Sequence, residues 1–192
     1  MIDLHLARHP AFRRILALAA LTALVGALAA SSAKPYYPYS PGTRLTYTSG
    51  ETQVVGAGVL HRGVKVVPVS HQYGSTTYTQ DLLELRPDGS VWLRGVNAGG
   101  RLSWFAAPLN VYPPGPLSPG MAWSSGNSTL KLSSRVTGMS ALKLSAGTFN
   151  ALTIRTDTTT GGQVSTQTTY FVPTLGVVRY QTADGSVVDL QR

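Results

Sequence analysis

From Arg44 onward, apolar and polar residues alternate with a period of two, the spacing of strands with one face covered and one wet. Arg44-Leu45-Thr46-Tyr47-Thr48, Gln53 to Leu60, Val64 to Tyr73 and Thr76 to Arg86 each carry the pattern. Arg86-Pro87-Asp88-Gly89 then predicts a turn, with Pro pre-set for its second position and Gly free to take positive φ at its fourth, and Ser90 to Arg94 returns as a strand. Beyond Trp123, Leu130, Leu132 and Val136 fall on one face and Lys131, Ser133 and Arg135 on the other. Leu142 and Leu144 repeat the scheme, as do Leu152 and Ile154 against Thr153 and Arg155, and Thr156 to Gln163 predicts a polar Thr-Gly hairpin tip. Val178 and Tyr180 lead through Ala183-Asp184-Gly185, whose Asp-Gly pair favours a tight turn, to Val188 and Leu190. No segment after residue 30 keeps helical spacing for three turns.

Two stretches interrupt the alternation. Lys34 to Gly42 holds three prolines and predicts an extended, tyrosine-rich leader over residues 30–42 that can dock on the domain. Tyr112 to Gly120 packs four prolines and two glycines into nine residues, which excludes helix and strand and predicts a stiff crossover over residues 112–120. The expected fold is all-β, either a single curved antiparallel sheet (a half-barrel or β-clam) or a β-sandwich, in one domain over residues 43–192.

The N-terminus has another character. Arg8, Arg13 and Arg14 precede an apolar run from Ile15 to Ala30, as in an export signal over residues 1–29 with cleavage after Ala29 or Ala33. That run is shorter than the roughly 20 residues of a membrane span, so no stable span is expected after cleavage. The chain has no cysteine, which excludes disulfides, thiol chemistry and a lipobox cysteine. The expected location is the periplasm, the cell envelope or the medium, with a soluble protein that is not a lipoprotein.

Composition narrows the functional classes. Only 12% of residues are charged, about half of the usual quarter share. The whole chain carries +8, and loss of Arg8, Arg13, Arg14 and Asp3 with the signal leaves 13 basic and 7 acidic residues, or +6. Past the signal no two basic residues are adjacent, so they suit the wet faces and edges of a sheet, and no nucleic-acid partner is expected.

Catalytic chemistry is thinly supplied. After the signal there are two histidines, His61 and His71, which the strand pattern can bring across a hairpin; a metal would need a third ligand such as Asp81 or Glu84. No Gly-x-Ser-x-Gly elbow is present, Asp184 belongs to a turn, and Gly99-Gly100 and Gly161-Gly162 lack the following helix that presents amides to phosphate. Asn127-Ser128-Thr129 is a glycosylation sequon only in a eukaryotic secretory route. Neither an enzyme nor a metal site nor a cofactor is expected. The large aromatic side chains remain, and Trp92, Trp104, Tyr112 and Trp123 are the candidate lining of a concave sheet that holds a lipid or other hydrophobic ligand. The alternative is a structural or assembly factor that grips another envelope protein through its aromatic leader or a sheet edge.

Leu144-Ser145-Ala146-Gly147-Thr148-Phe149-Asn150-Ala151-Leu152 and Thr169-Tyr170-Phe171-Val172-Pro173-Thr174-Leu175-Gly176-Val177-Val178-Arg179 together resemble the C-terminal part of a group of bacterial envelope β-proteins of unknown function. The preceding Gly120-Met121-Ala122-Trp123 fits the same layout, so the likeness spans about half of the chain after the signal. It implies a relation to the half-barrel lipoprotein carriers, whose curved antiparallel sheet wraps a hydrophobic cavity. This chain differs from those carriers in having no lipobox cysteine and no evident helical lid.

Overall fold

A computed structural model describes residues 34–191. The expected export signal and its cleavage sites lie outside the described residues, as does Arg192. Among the described residues there is no helix. Seven strands form one antiparallel sheet: β1 (Arg44–Thr46), β2 (Glu51–Val55), β3 (Val59–His61), β4 (Val64–Tyr73), β5 (Thr76–Leu85), β6 (Val91–Ala98) and β7 (Arg101–Tyr112). Six form a second: β8 (Ala122–Gly126), β9 (Leu130–Leu144), β10 (Gly147–Thr160), β11 (Gln163–Val172), β12 (Gly176–Thr182) and β13 (Val187–Asp189). Each sheet is a meander because short polar turns join neighbours. Gly89 N–H donates to Arg86 O at 2.9 Å and Gly185 N–H to Thr182 O at 3.0 Å, both in the turns expected from Pro-Asp-Gly and Asp-Gly.

The sheets meet along one seam through the backbone. Tyr47 and Leu190 form a β-bridge, Thr48 N–H donates to Asp189 O at 2.8 Å, and Gln191 N–H to Thr46 O at 2.7 Å. At the opposite seam β7 and β8 are laced mainly by side chains: Trp123 Nε1 donates to Val111 O at 3.1 Å and Asn110 N–H to Ser125 Oγ at 2.7 Å. The fold is therefore all-β and antiparallel, as the alternation predicts, in two layers.

Three local features differ from the pattern reading. The expected strand from Gln53 to Leu60 is two strands, broken at Gly56-Ala57-Gly58, with both halves pairing to β4. The break lies opposite Pro68, which has no N–H to give the ladder; its carbonyl accepts from Gly56 N–H at 2.8 Å, and a Cβ on Gly56 would meet the Pro68 ring at 2.8 Å. The expected polar tip from Thr156 to Gln163 is mostly strand, since β10 and β11 stay paired out to Thr160 and Gln163 and turn only at Gly161-Gly162. Threonine favours extended backbone, so polarity there marks a wet strand face and not a loop. Tyr112 belongs to β7, and the proline-rich crossover begins after it.

The leader docks. Tyr37 is buried, stacks on Tyr112 with ring centres 4.9 Å apart, and donates its hydroxyl to Pro113 O at 2.6 Å. Tyr36 accepts at its Oη from Leu117 N–H at 2.9 Å and lies where a Cβ on Gly115 would stand, 2.6 Å away. Leader and crossover thus close one end of the space between the sheets over Tyr112, Leu117 and Phe171, all buried. A second, smaller cluster gathers Tyr47, Ala151, Val178 and Leu190, with Phe149 packed against it.

Candidate functional site

Behind the leader the sheets do not fill the space between them, and a cavity of about 700 Å³ remains. Its lining follows from the period-two side-chain direction read along the paired strands. On β2 the inward positions run Val55, Gln53, Glu51; on β4, Val69, His71, Tyr73; on β5, Leu83, Asp81. The facing sheet runs the same way, from Ile154 to Thr156 and Thr158 on β10 and from Phe171 to Thr169 and Gln167 on β11. One end of the cavity is therefore apolar and capped by the leader, and the other is polar. Leu132 and Val188 are exceptions at the polar end, beside Thr158 and Tyr180 in the pairing.

The polar end is organised around His71. Register places it between Gln53 of β2 and Thr79 of β5, with Glu51 two residues before Gln53, opposite Tyr73, and Asp81 two residues after Thr79, opposite Val69. Its Nδ1 lies 2.8 Å from Glu51 Oε1 and its Nε2 3.3 Å from Asp81 Oδ2. With both ring nitrogens facing carboxylates, only the doubly protonated imidazolium satisfies both contacts. Burial pushes the imidazole pKa down, but the bonds to Asp81 and Glu51 outweigh it and hold the value above the ordinary one. Burial likewise opposes ionisation of Glu51, yet donors from His71, Tyr78 and Gln53 hold its pKa below the ordinary range. Tyr78 Oη donates to Glu51 Oε2 at 2.8 Å, and Gln53 Nε2 donates to Glu51 Oε1 at 3.1 Å and to Tyr180 Oη at 3.0 Å. Tyr78 also stacks on Tyr73, with ring centres 5.2 Å apart.

The four aromatic candidates separate into two pairs. Tyr112 and Trp123 line the cavity. Trp92 does not: its neighbour Leu93 points inward instead, while Trp92 lies under the Arg86 guanidinium, 3.9 Å from the ring centre, and donates Nε1 to Ser90 Oγ at 2.8 Å. Trp104 also lies away from the cavity, against the His61 ring at 4.7 Å and beside Gly95, where a Cβ would meet Ser103 O at 2.6 Å. His61 and His71 are not brought together: His61 pairs across its hairpin with Val64, and His71 with Gln53 and Thr79. Among the described residues no group of three or more His, Cys, Asp or Glu is arranged to hold a metal ion.

The Glu51, His71 and Asp81 cluster and the inward tyrosines Tyr39 and Tyr180 were not singled out by sequence as lining residues. The signal is present in the sequence: Val67-Pro68-Val69-Ser70-His71 carries a histidine on a face that is otherwise valine.

The sequence matches no protein-family model and no curated protein. Among solved structures, the chain is similar to the crystal structure of a Bacteroides fragilis protein described as a candidate exported protein with a YmcC-like fold. The identity is 14%, the TM-score 0.47, and the alignment covers 83% of this chain and 99% of that one. No helix of the described residues is long and apolar enough to cross a membrane.

Proposed function

We propose that the protein is a non-catalytic binding module of the bacterial envelope, reached by export, which takes the apolar chain of an amphiphile into the space between its sheets. The observation that carries this reading is the intersheet cavity of about 700 Å³, graded from apolar to polar along β2, β4, β5, β10 and β11. Its size falls within the roughly 300–1,000 Å³ of ligand sites, and apolar walls with a few convergent polar groups are what such sites use. Export rests on the basic and apolar pattern of residues 8–30. Binding is favoured over catalysis because both His71 nitrogens are taken up by carboxylates, which leaves the ring no free base for activating a nucleophile. Binding of another protein through the leader is disfavoured, since Tyr36 and Tyr37 are packed into this chain's own core.

Titration with a neutral apolar fluorophore, N-phenylnaphthylamine, tests the reading. Saturable uptake is expected, lost in Thr169→Trp, which fills the cavity between Ile154 and Tyr180 on the neighbouring strands, and kept in Trp92→Phe. Uptake that survives Thr169→Trp in a folded protein, or no uptake by the parent protein, contradicts it.

A further inference from the structure

The cavity differs from the rest of the molecule in the sign of its charge. The chain carries 16 Lys and Arg against 8 Asp and Glu, yet no Lys or Arg is among the residues lining the cavity. The only ionisable side chains there other than tyrosine are Glu51, Asp81 and His71. Two carboxylates around one imidazolium leave a net negative charge, and neutral imidazole leaves a larger one. The stacked Tyr73 and Tyr78 rings stand beside this group, with Tyr78 bonded to Glu51. Aromatic faces next to carboxylates attract an ammonium group and offer nothing to a phosphate or sulfate.

We propose that the preferred ligand is a single-chain amphiphile with a cationic, ammonium-type head, its chain among Val69, Leu83, Ile154 and Phe171 and its head at Glu51, Asp81 and the Tyr73-Tyr78 pair. This rests on the reading of the cavity as a ligand site and adds the chemistry of its mouth. The preference is pH-dependent. The groups facing His71 are Glu51 from β2 and Asp81 and Tyr78 from β5; Tyr180 of β12 feels both carboxylates and Tyr39 of the leader feels Asp81, and both tyrosines stay neutral because burial raises their pKa. Loss of the His71 proton removes the one positive charge of the mouth, so affinity for a cationic head rises with pH across that titration and affinity for a neutral head does not.

Isothermal titration with decyltrimethylammonium, decanol and decyl sulfate, in enough salt to screen the exposed Arg and Lys, separates the claims. The cationic probe is expected to bind about tenfold or more tighter than the sulfate, with the ratio growing as pH climbs above the ordinary histidine value of 6.5 and through the raised one. In Glu51→Gln/Asp81→Asn the ratio collapses toward one while decanol affinity is retained. Should that variant fail to fold, the head preference of the parent protein and its pH slope still decide the matter. Sulfate binding equal to or tighter than ammonium binding, with decanol bound, overturns the head assignment and leaves the cavity reading standing. Failure of all three probes to bind overturns both.

Discussion

The two ends of the intersheet cavity are built from the same strands, two or four residues apart, and they do different work. At the leader end Tyr37, Tyr112 and Phe171 interlock, with Phe171 1% exposed and the Tyr37 and Tyr112 rings 5.7 and 5.6 Å from it. At the mouth the residues are partly exposed and joined by hydrogen bonds: the side chains of Glu51, His71 and Asp81 are 18%, 17% and 34% exposed. Close packing makes the first end a source of stability that tolerates little change. The second contributes less to stability, because exchange of water for protein partners nearly balances there, and its charge is free to serve selectivity. A protein that fills one end of a two-sheet core and leaves the other open keeps its packed core and its polar, charged end on separable residues.

Mutations at the two ends should therefore part company. The largest effect is expected for Phe171→Ala, which removes the aromatic side chain shared by the leader, β7 and β11 and should cost about 3–5 kcal/mol in urea unfolding. His71→Gln should cost on the order of 1 kcal/mol, and it should also change the shape of the stability profile. The His71 pKa is raised on folding, so its contribution is complete below its ordinary 6.5 and is lost as pH climbs through the raised value. The Glu51 pKa is lowered, so its contribution is complete above its ordinary 4.5 and is lost as pH falls through the lowered value. Urea midpoints followed with pH should show a plateau between these limits, and His71→Gln should abolish the alkaline decline and lessen the acid one, since His71 also helps hold the Glu51 pKa down. The smallest effect belongs to Trp92→Phe. It keeps a ring under Arg86 but gives up the bond to Ser90, for roughly 0.5 kcal/mol, and should leave ligand uptake untouched. A loss of uptake in Trp92→Phe would erase the distinction between inner and outer aromatics.

The alternation of the sequence carried most of the strands and the Pro-Asp-Gly and Asp-Gly pairs both tight turns, because both act locally, while the leader was legible from its prolines and tyrosines. It did not carry the choice of tryptophans. Assigning Trp92 to a face requires counting by two from a known core residue, and the ladder around it shifts register at Leu82/Leu83, at Val91/Trp92 and at Leu93/Gly95. Within β6, Val91, Trp92 and Leu93 still alternate, which puts Val91 and Leu93 inward and Trp92 outward once one of them is known to be core. The mouth was hidden for a related reason. Glu51, His71 and Asp81 are 20 and 10 residues apart and meet only once β2, β4 and β5 are aligned in register. A shared gradient is nevertheless written in the chain: Val55-Gln53-Glu51, Val69-His71-Tyr73 and Leu83-Asp81 each turn from apolar to polar within one face.

Whether the cavity holds an amphiphile is decided by native mass spectrometry of the protein, recovered without detergent from a bacterial host that exports it. A bound mass of lipid or amphiphile size is expected, absent from Thr169→Trp and present in Trp92→Phe. A clean apo mass that stays clean after incubation with envelope lipid extract and with decyltrimethylammonium would contradict it.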